Sequence, residues 1–238
     1  MITCVKTNKK MNKFTKAIAD IMLIVAAIIV SGCSKDSYQG HEYVDLGLPS
    51  GTLWATCNVG AESPEDCGSY FAWGETNPKE MYDWKQYRYC AYDDGRYMLT
   101  KYCSDSSCGF NGFVDGLTVL EPDDDAVRAN WGEGWRMPTK EEYEELNQET
   151  TFLWTSQNGV EGRLLTGPNG NSIFFPATGF YLDGENICTG LGIYWSSSLQ
   201  TVSQISAWSL HFDYENCHVC ATYERSRGQC VRAVRVEK

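Results

Sequence analysis

Trp135-Arg136-Met137-Pro138-Thr139-Lys140-Glu141-Glu142-Tyr143-Glu144-Glu145-Leu146-Asn147-Gln148 is the stretch that decides the fold. Thr139 stands where a side-chain oxygen can accept from the free N–H groups of a first helical turn. Glu142 follows three residues later, able to reach back to the N–H of the capping residue. Tyr143 and Leu146 are three apart and share one helix face. The pattern predicts a helix over 139–148 with Tyr143 and Leu146 turned inward. It is the one clear helix start in the chain.

Around it, the sequence is cut by glycine and proline into short apolar pieces. Segments 43–46, 53–59 and 70–73 before the helix, and 162–166, 172–175, 194–198, 207–213 and 230–236 after it, are rich in aromatic and β-branched residues and read as strands. Pro49-Ser50-Gly51 reads as a turn. In 207–213, Trp208, Leu210 and Phe212 alternate with Ala207, Ser209, His211 and Asp213, the pattern of a half-buried strand with one wet face. Residues 74–120 are polar and aromatic without periodicity and are expected to form long loops. Many short strands, long loops and one good helix predict an α+β domain.

The N-terminus carries a separate signal. Lys6, Lys9, Lys10, Lys13 and Lys16 precede ten consecutive apolar residues, 21–30, followed by Ser31-Gly32-Cys33. A charged n-region, an h-region and a small-residue cleavage site make a secretory signal. With cysteine as the first mature residue, it resembles a bacterial lipoprotein signal peptide. Ten apolar residues fall short of the roughly 20 that span a bilayer. The expected organisation is a signal peptide over 1–32, lipid on Cys33, a polar tether over 33–41 and a domain over 42–238. Met11 is a second candidate start. Ser34-Lys35-Asp36-Ser37 is similar to surface-export signals of gut-type outer-membrane lipoproteins. The expected location is therefore the outer membrane of a Gram-negative bacterium, exposed at the cell surface and held there by the N-terminal lipid.

The leader holds five of the 20 basic residues and one of the 31 acidic ones, so the rest carries 15 basic and 30 acidic residues, a formal charge of −15. Such a chain repels phosphate backbones, and nucleic acid is not an expected partner. The acids gather at 121–125 and at Glu141, Glu142, Glu144 and Glu145, and both groups read as solvated faces. Eleven cysteines include Cys4 in the leader and Cys33. The remaining nine are odd in number and irregularly spaced, which argues against a disulfide framework, although Cys103 and Cys108 share one loop-like segment and could pair.

Several segments together resemble a known family. They are Tyr43-Val44-Asp45-Leu46-Gly47-Leu48-Pro49-Ser50-Gly51, Leu53-Trp54-Ala55-Thr56-Cys57-Asn58-Val59-Gly60-Ala61, Tyr70-Phe71-Ala72-Trp73-Gly74-Glu75-Thr76, Asn130-Trp131-Gly132, Trp135-Arg136-Met137-Pro138-Thr139, Tyr194-Trp195-Ser196-Ser197-Ser198 and Val231-Arg232-Ala233-Val234-Arg235. In this order, over about 42–236, they resemble the Fibrobacter succinogenes major paralogous domain of surface lipoproteins. The resemblance implies a C-type lectin-like fold, related to that of the formylglycine-generating enzymes. It implies no established activity.

The C-terminal part is also similar to targets of diversity-generating retroelements, in which adenines of Asn codons are randomised and the lectin-like fold presents the varied side chains on one ligand-binding face. Such codons cannot yield Gln, Glu, Lys, Met or Trp. Asn216-Cys217-His218-Val219-Cys220-Ala221-Thr222-Tyr223 contains only reachable types, whereas Gln200, Gln204, Glu215, Glu224 and Gln229 would have to be fixed positions. The candidate ligand-contact residues are Leu199, Thr201, Ser203, Ile205, Tyr214, Asn216, Cys217, His218, Cys220, Ala221, Thr222, Tyr223 and Ser226. Arg232 and Arg235 read as framework. An ordinary variable loop on a member without diversification is the alternative.

Other motifs weigh little. Cys217-His218-Val219-Cys220 lacks a second ligand pair, and on a strand positions i and i+3 point to opposite faces. Glu121-Pro122-Asp123 resembles the triplet of calcium-dependent lectins. The Trp-Asn-Asp that should follow is absent, since Asn130-Trp131 is reversed and Trp208 precedes Ser209, so a solvated turn is the expectation. There is no HExxH, GxSxG, P-loop or dinucleotide glycine pattern, and no evident acid–base histidine among His41, His211 and His218. The expectation is a non-enzymatic recognition lipoprotein with no cofactor and no metal, taking an unidentified protein or glycan ligand. A structural or assembly module of the cell surface is the alternative, and an enzyme on the formylglycine-generating scaffold ranks last.

Overall fold

The computed structural model describes residues 36–187 and 190–236, with the side chains of Cys220 and Val236 outside that description. The expected signal peptide, Cys33 and Cys188 lie outside the described residues.

In chain order the strands are β1 (Asp36–Tyr38), β2 (His41–Asp45), β3 (Thr52–Asn58), β4 (Tyr70–Phe71), β5 (Cys90–Asp93) and β6 (Arg96–Leu99). Two α-helices follow, α1 (Ala126–Trp131) and α2 (Lys140–Glu149). Then come β7 (Thr151–Gln157), β8 (Val160–Thr166), β9 (Ser172–Pro176), β10 (Phe180–Leu182), β11 (Glu185–Ile187), β12 (Gly192–Leu199), β13 (Ser206–Phe212), β14 (Cys217–Glu224), β15 (Gln229–Cys230) and β16 (Arg232–Val236). The described residues are thus mostly β-sheet with two helices, within the expected α+β class. A four-stranded sheet runs β1-β2-β3-β16, a five-stranded sheet β14-β13-β12-β15-β4 and a three-stranded sheet β7-β8-β9, with hairpins β5-β6 and β10-β11. All named pairs are antiparallel except β12 with β15.

The helix start is built as its sequence predicts. Glu142 N–H donates to Thr139 Oγ1 at 3.3 Å, and Thr139 N–H donates to Glu142 Oε2 at 2.9 Å. Arg136 adds a bidentate pair to the same carboxylate, 2.6 Å on each oxygen. Burial opposes ionisation of Glu142, but Arg136 outweighs it and holds the carboxyl below its usual range. Tyr143 and Leu146 are buried, and α2 packs on β12, β13 and β14.

Four fully buried tryptophans, Trp54, Trp73, Trp135 and Trp195, anchor the core. Arg232 lies among them with no exposure. Its N–H groups donate to Asn58 Oδ1 (2.8 Å) and to the carbonyls of Ala55 (3.0 Å), Thr56 (2.6 Å) and Phe174 (3.1 Å), and its guanidinium lies 4.4 Å from the Phe175 ring centre. Arg235 lies 3.9 Å from the centre of the Tyr38 ring.

Four sequence expectations change. Part of the tether is structural: β1 pairs with β2, and His41 opens β2 with its ring stacked on Trp131 at 3.7 Å. A short polar segment gains this order because β2 offers an open edge and Trp131, Trp135 and Arg235 offer flat surfaces. The stretch 74–120 contains the β5-β6 hairpin and four buried tyrosines, Tyr82, Tyr87, Tyr89 and Tyr102, rather than loop alone. The acidic turn at 121–125 is not all solvated. Asp124 is buried, accepting from Tyr89, from Tyr102 at 2.5 Å and from Lys101 at 2.6 Å, while Asp125 caps α1. Finally, Ala207 and Ser209 on the expected wet face of β13 are fully buried. The chain returning from β14 to β15 crosses them, and Ser209 donates to Gln229 at 2.8 Å.

Candidate ligand-binding face

The expected contact residues come from one continuous segment, 199–226, which folds as the end of β12, a loop, β13, a turn and β14. Its side chains part in three directions.

The loop 200–205 is tied from within. Gln200 Oε1 accepts from Val202 N–H at 2.9 Å, Gln204 Nε2 donates to the Thr201 carbonyl at 3.0 Å, and Gln204 Oε1 accepts from Ser104 N–H at 2.8 Å. Ser203 Oγ lies 3.1 Å from Ser206 Oγ. This frame leaves Thr201 exposed, Val202 92 % exposed and Ile205 42 % exposed. Ile205 also lines a cavity of about 370 Å³ whose other walls include Trp84, Tyr97, Met98 and Cys108. Its walls are apolar and aromatic, with Arg96 and Ser107 as polar groups.

The β13–β14 turn projects Tyr214, 63 % exposed, and Asn216. Asp213 Oδ1 accepts from the N–H groups of Glu215 (2.7 Å) and Asn216 (2.6 Å), and these donors hold its carboxyl below the usual range. Buried Arg163 fastens the turn from below, donating to the carbonyls of Asp213 (3.0 Å) and Asn216 (2.6 Å).

On β14, His218 is exposed and lies directly opposite His211, with ring centres 6.0 Å apart. Tyr223 is half-buried, its hydroxyl 3.0 Å from His211 Nδ1. Phe180 packs on its ring, 6.0 Å between centres, and the Arg227 guanidinium lies 5.7 Å from it. Ala221 is half-buried opposite Ser209. Thr222 is exposed opposite Trp208, whose ring lies under Lys140 at 4.9 Å, on the α2 side.

Three expected contacts do not fit a surface role. Leu199 is 3 % exposed and Ser226 1 % exposed; Leu199 closes the β12 end of the core, its N–H donating to Thr118, and Ser226 lies in the covered crossover. Cys217 pairs with Phe212 and turns toward Leu146, Arg163, Leu165 and Leu210, where burial pushes its thiol up to about 11. The alternation of a strand forces this: with His218 outward, Cys217 points inward. The side chain of Cys220 lies outside the described residues.

Sequence reasoning missed His211, Phe180, Arg227 and the aromatic walls of the Ile205 cavity. His211 was legible as an outward position of β13, and its partners Tyr223 and His218 come from β14, whereas Phe180 comes from β10 and the walls of the Ile205 cavity from 84–108, and only the fold brings those there. Among the described residues no group of three or more His, Cys, Asp and Glu side chains converges as a metal cage. The chain matches no family model, no curated protein and no solved structure.

Proposed function

We propose that this chain is a surface-anchored lipoprotein of the major paralogous type. It is lipidated on Cys33 and binds a protein or glycan ligand through the C-terminal part of a C-type lectin-like domain. One observation carries the reading. In 199–229, the residues that adenine randomisation cannot produce have structural contacts: Gln200 and Gln204 brace the loop, Gln229 accepts from Ser209, and Glu224 pairs with Arg227 at 3.6 Å. Glu215 accepts from Tyr214. The reachable residues Thr201, Ile205, Tyr214, Asn216, His218 and Thr222 point to solvent. A fixed frame with replaceable exposed side chains is what a recognition surface requires, because exposed positions tolerate substitution within about 0.5 kcal/mol.

Sequencing the 3′ end of the locus in many sibling cells tests this. Variation confined to the exposed positions, beside a near-identical repeat differing only at adenines, supports a diversified binder. A uniform 3′ end removes the diversification and leaves a fixed binding face. For that case, alanine at Tyr214, His218 and Tyr223 together is expected to abolish binding to a ligand identified on a glycan or protein array; unchanged binding overturns the face. The anchor has its own test. Cys33→Ser is expected to abolish incorporation of labelled palmitate and release the protein from membranes, and an unchanged product overturns it.

A further inference from the structure

The proposed function uses His218 as one exposed contact, but not its pairing with His211. The two histidines are direct cross-strand partners, so their side chains leave the same side of the β13–β14 ribbon. A late first-row divalent ion bonds an imidazole nitrogen at about 2.0–2.1 Å, which places each ring centre roughly 3.2 Å from the ion. Two rings on one ion therefore stand about 4.5 Å apart at a right angle and about 5.2 Å apart at a tetrahedral angle, so a rotation of the exposed His218 side chain that closes the pair by about 1 Å brings both rings onto one ion. The observed separation is 6.0 Å, with the ring planes at 62°.

The surroundings suit a cation. His211 Nδ1 is engaged by the Tyr223 hydroxyl at 3.0 Å, which fixes the ring and leaves Nε2 as the ligating nitrogen. The chain carries 31 acidic against 20 basic residues, a field that favours a cation. Arg227, the positive charge closest to Tyr223, is paired with Glu224.

We infer that His211 and His218 form a two-point site for a late first-row divalent cation such as Zn²⁺, Ni²⁺ or Cu²⁺, with Tyr223 as the residue that orients His211. The remaining coordination positions face outward and are filled by water or by donors of a bound ligand. The site is independent of the lipid anchor, whereas His218 and Tyr223 belong to the side chains that the proposed function makes replaceable, so under diversification the site is a property of this variant of the face.

Calorimetric titration of the purified protein with ZnCl₂ and with NiSO₄ tests the assignment. One-to-one binding is expected with a Kd on the order of 1–100 μM. The His218→Ala variant, altered at an exposed position, is expected to weaken it at least tenfold. His211→Gln is expected to do the same, with circular dichroism and the melting temperature showing that the fold persists. Tyr223→Phe is expected to weaken binding less, and His41→Ala and Cys217→Ser to leave it unchanged. Absence of binding up to about 1 mM overturns the site. So does binding that survives His218→Ala, or binding that is lost in Cys217→Ser or Cys220→Ser while both histidines remain.

Discussion

The two faces of the five-stranded sheet are closed by different physics. On one side α2 lays Tyr143 and Leu146 against a wall of Tyr194, Leu210 and Phe212, with the Phe212 ring seated on Gly192. A Cβ at Gly192 would stand 2.0 Å from Phe212 Cζ, so that contact depends on glycine. On the other side, among the described residues, the cover is irregular chain with two single-turn 3-10 helices, Phe110–Gly112 and Pro122–Asp124, in place of a long α-helix. Residues 73–125 supply buried aromatic rings whose polar tips find partners, and the crossover 225–228 adds Arg225, its guanidinium 5.6 Å from the Trp73 ring centre. Trp73 Nε1 donates to Ser196 (2.9 Å), Tyr87 to Trp73 (2.8 Å) and Trp195 Nε1 to Phe71 (2.8 Å), while Tyr89, Tyr102 and Lys101 converge on Asp124. The helix face depends on shape and buried area. The loop face depends additionally on hydrogen bonds, because irregular chain must satisfy its own carbonyls with side chains.

That contrast can be broken by paired substitutions. Trp73→Ala is expected to cost about 3–5 kcal/mol, since it leaves a cavity and strips the Ser196 carbonyl of its donor. Leu146→Ala, on the helix face, is expected to cost about 2–4 kcal/mol from transfer and cavity alone. Chemical denaturation of the two variants measures the difference, and a larger loss for Leu146→Ala would remove the distinction.

Asp124→Asn sharpens it. Burial opposes ionisation of this carboxyl, yet the Lys101, Tyr102 and Tyr89 bonds hold it below the usual carboxylate range. A folded pKa below the unfolded value gives stability that is present above pH 4 and lost as pH falls through the folded value. The variant is therefore expected to cost about 2 kcal/mol at pH 7 and progressively less toward pH 2, where wild type and variant melting temperatures converge. Thr139→Ala removes one N-cap acceptor on the helix face and is expected to cost about 1 kcal/mol at any pH between 5 and 8. His218→Ala, outside both closures, is expected to change stability by less than about 0.5 kcal/mol. A larger loss would show that β14 is part of the frame rather than a presenting surface.

The same contrast explains what the sequence discloses. The helix face was legible because its information is local: a capping box, a residue pair at helical spacing and the apolar members Leu210 and Phe212 alternating along β13. The loop face was not, because its information is distributed. Asp124 is one acid among several in 121–125 until Tyr89, Tyr102 and Lys101 are brought to it from 22 to 35 residues away. Ala207 and Ser209 alternate as a wet face should, and only the crossover after β14 covers them. The candidate contact segment was legible as a segment, and its exposed members at Thr201, Ile205, Tyr214 and His218 follow from turn and strand position. Leu199, Cys217 and Ser226 needed the register of β12 and β14 and the path of the crossover.

The placement of the last strands bears on how the chain reaches this state. β15 lies between β12 and β4, and β16 completes the sheet that begins with β1. Arg232, which threads Asn58, Ala55, Thr56 and Phe174 together, belongs to the final seven residues. Both large sheets therefore wait for residues 229–236, and their closing contacts join residues more than 150 positions apart. Such non-local closure is slow, and a growing chain still lacking these residues has no complete core to form. A polypeptide arranged in this way acquires its shape late, once 229–236 can reach back to β3 and β4.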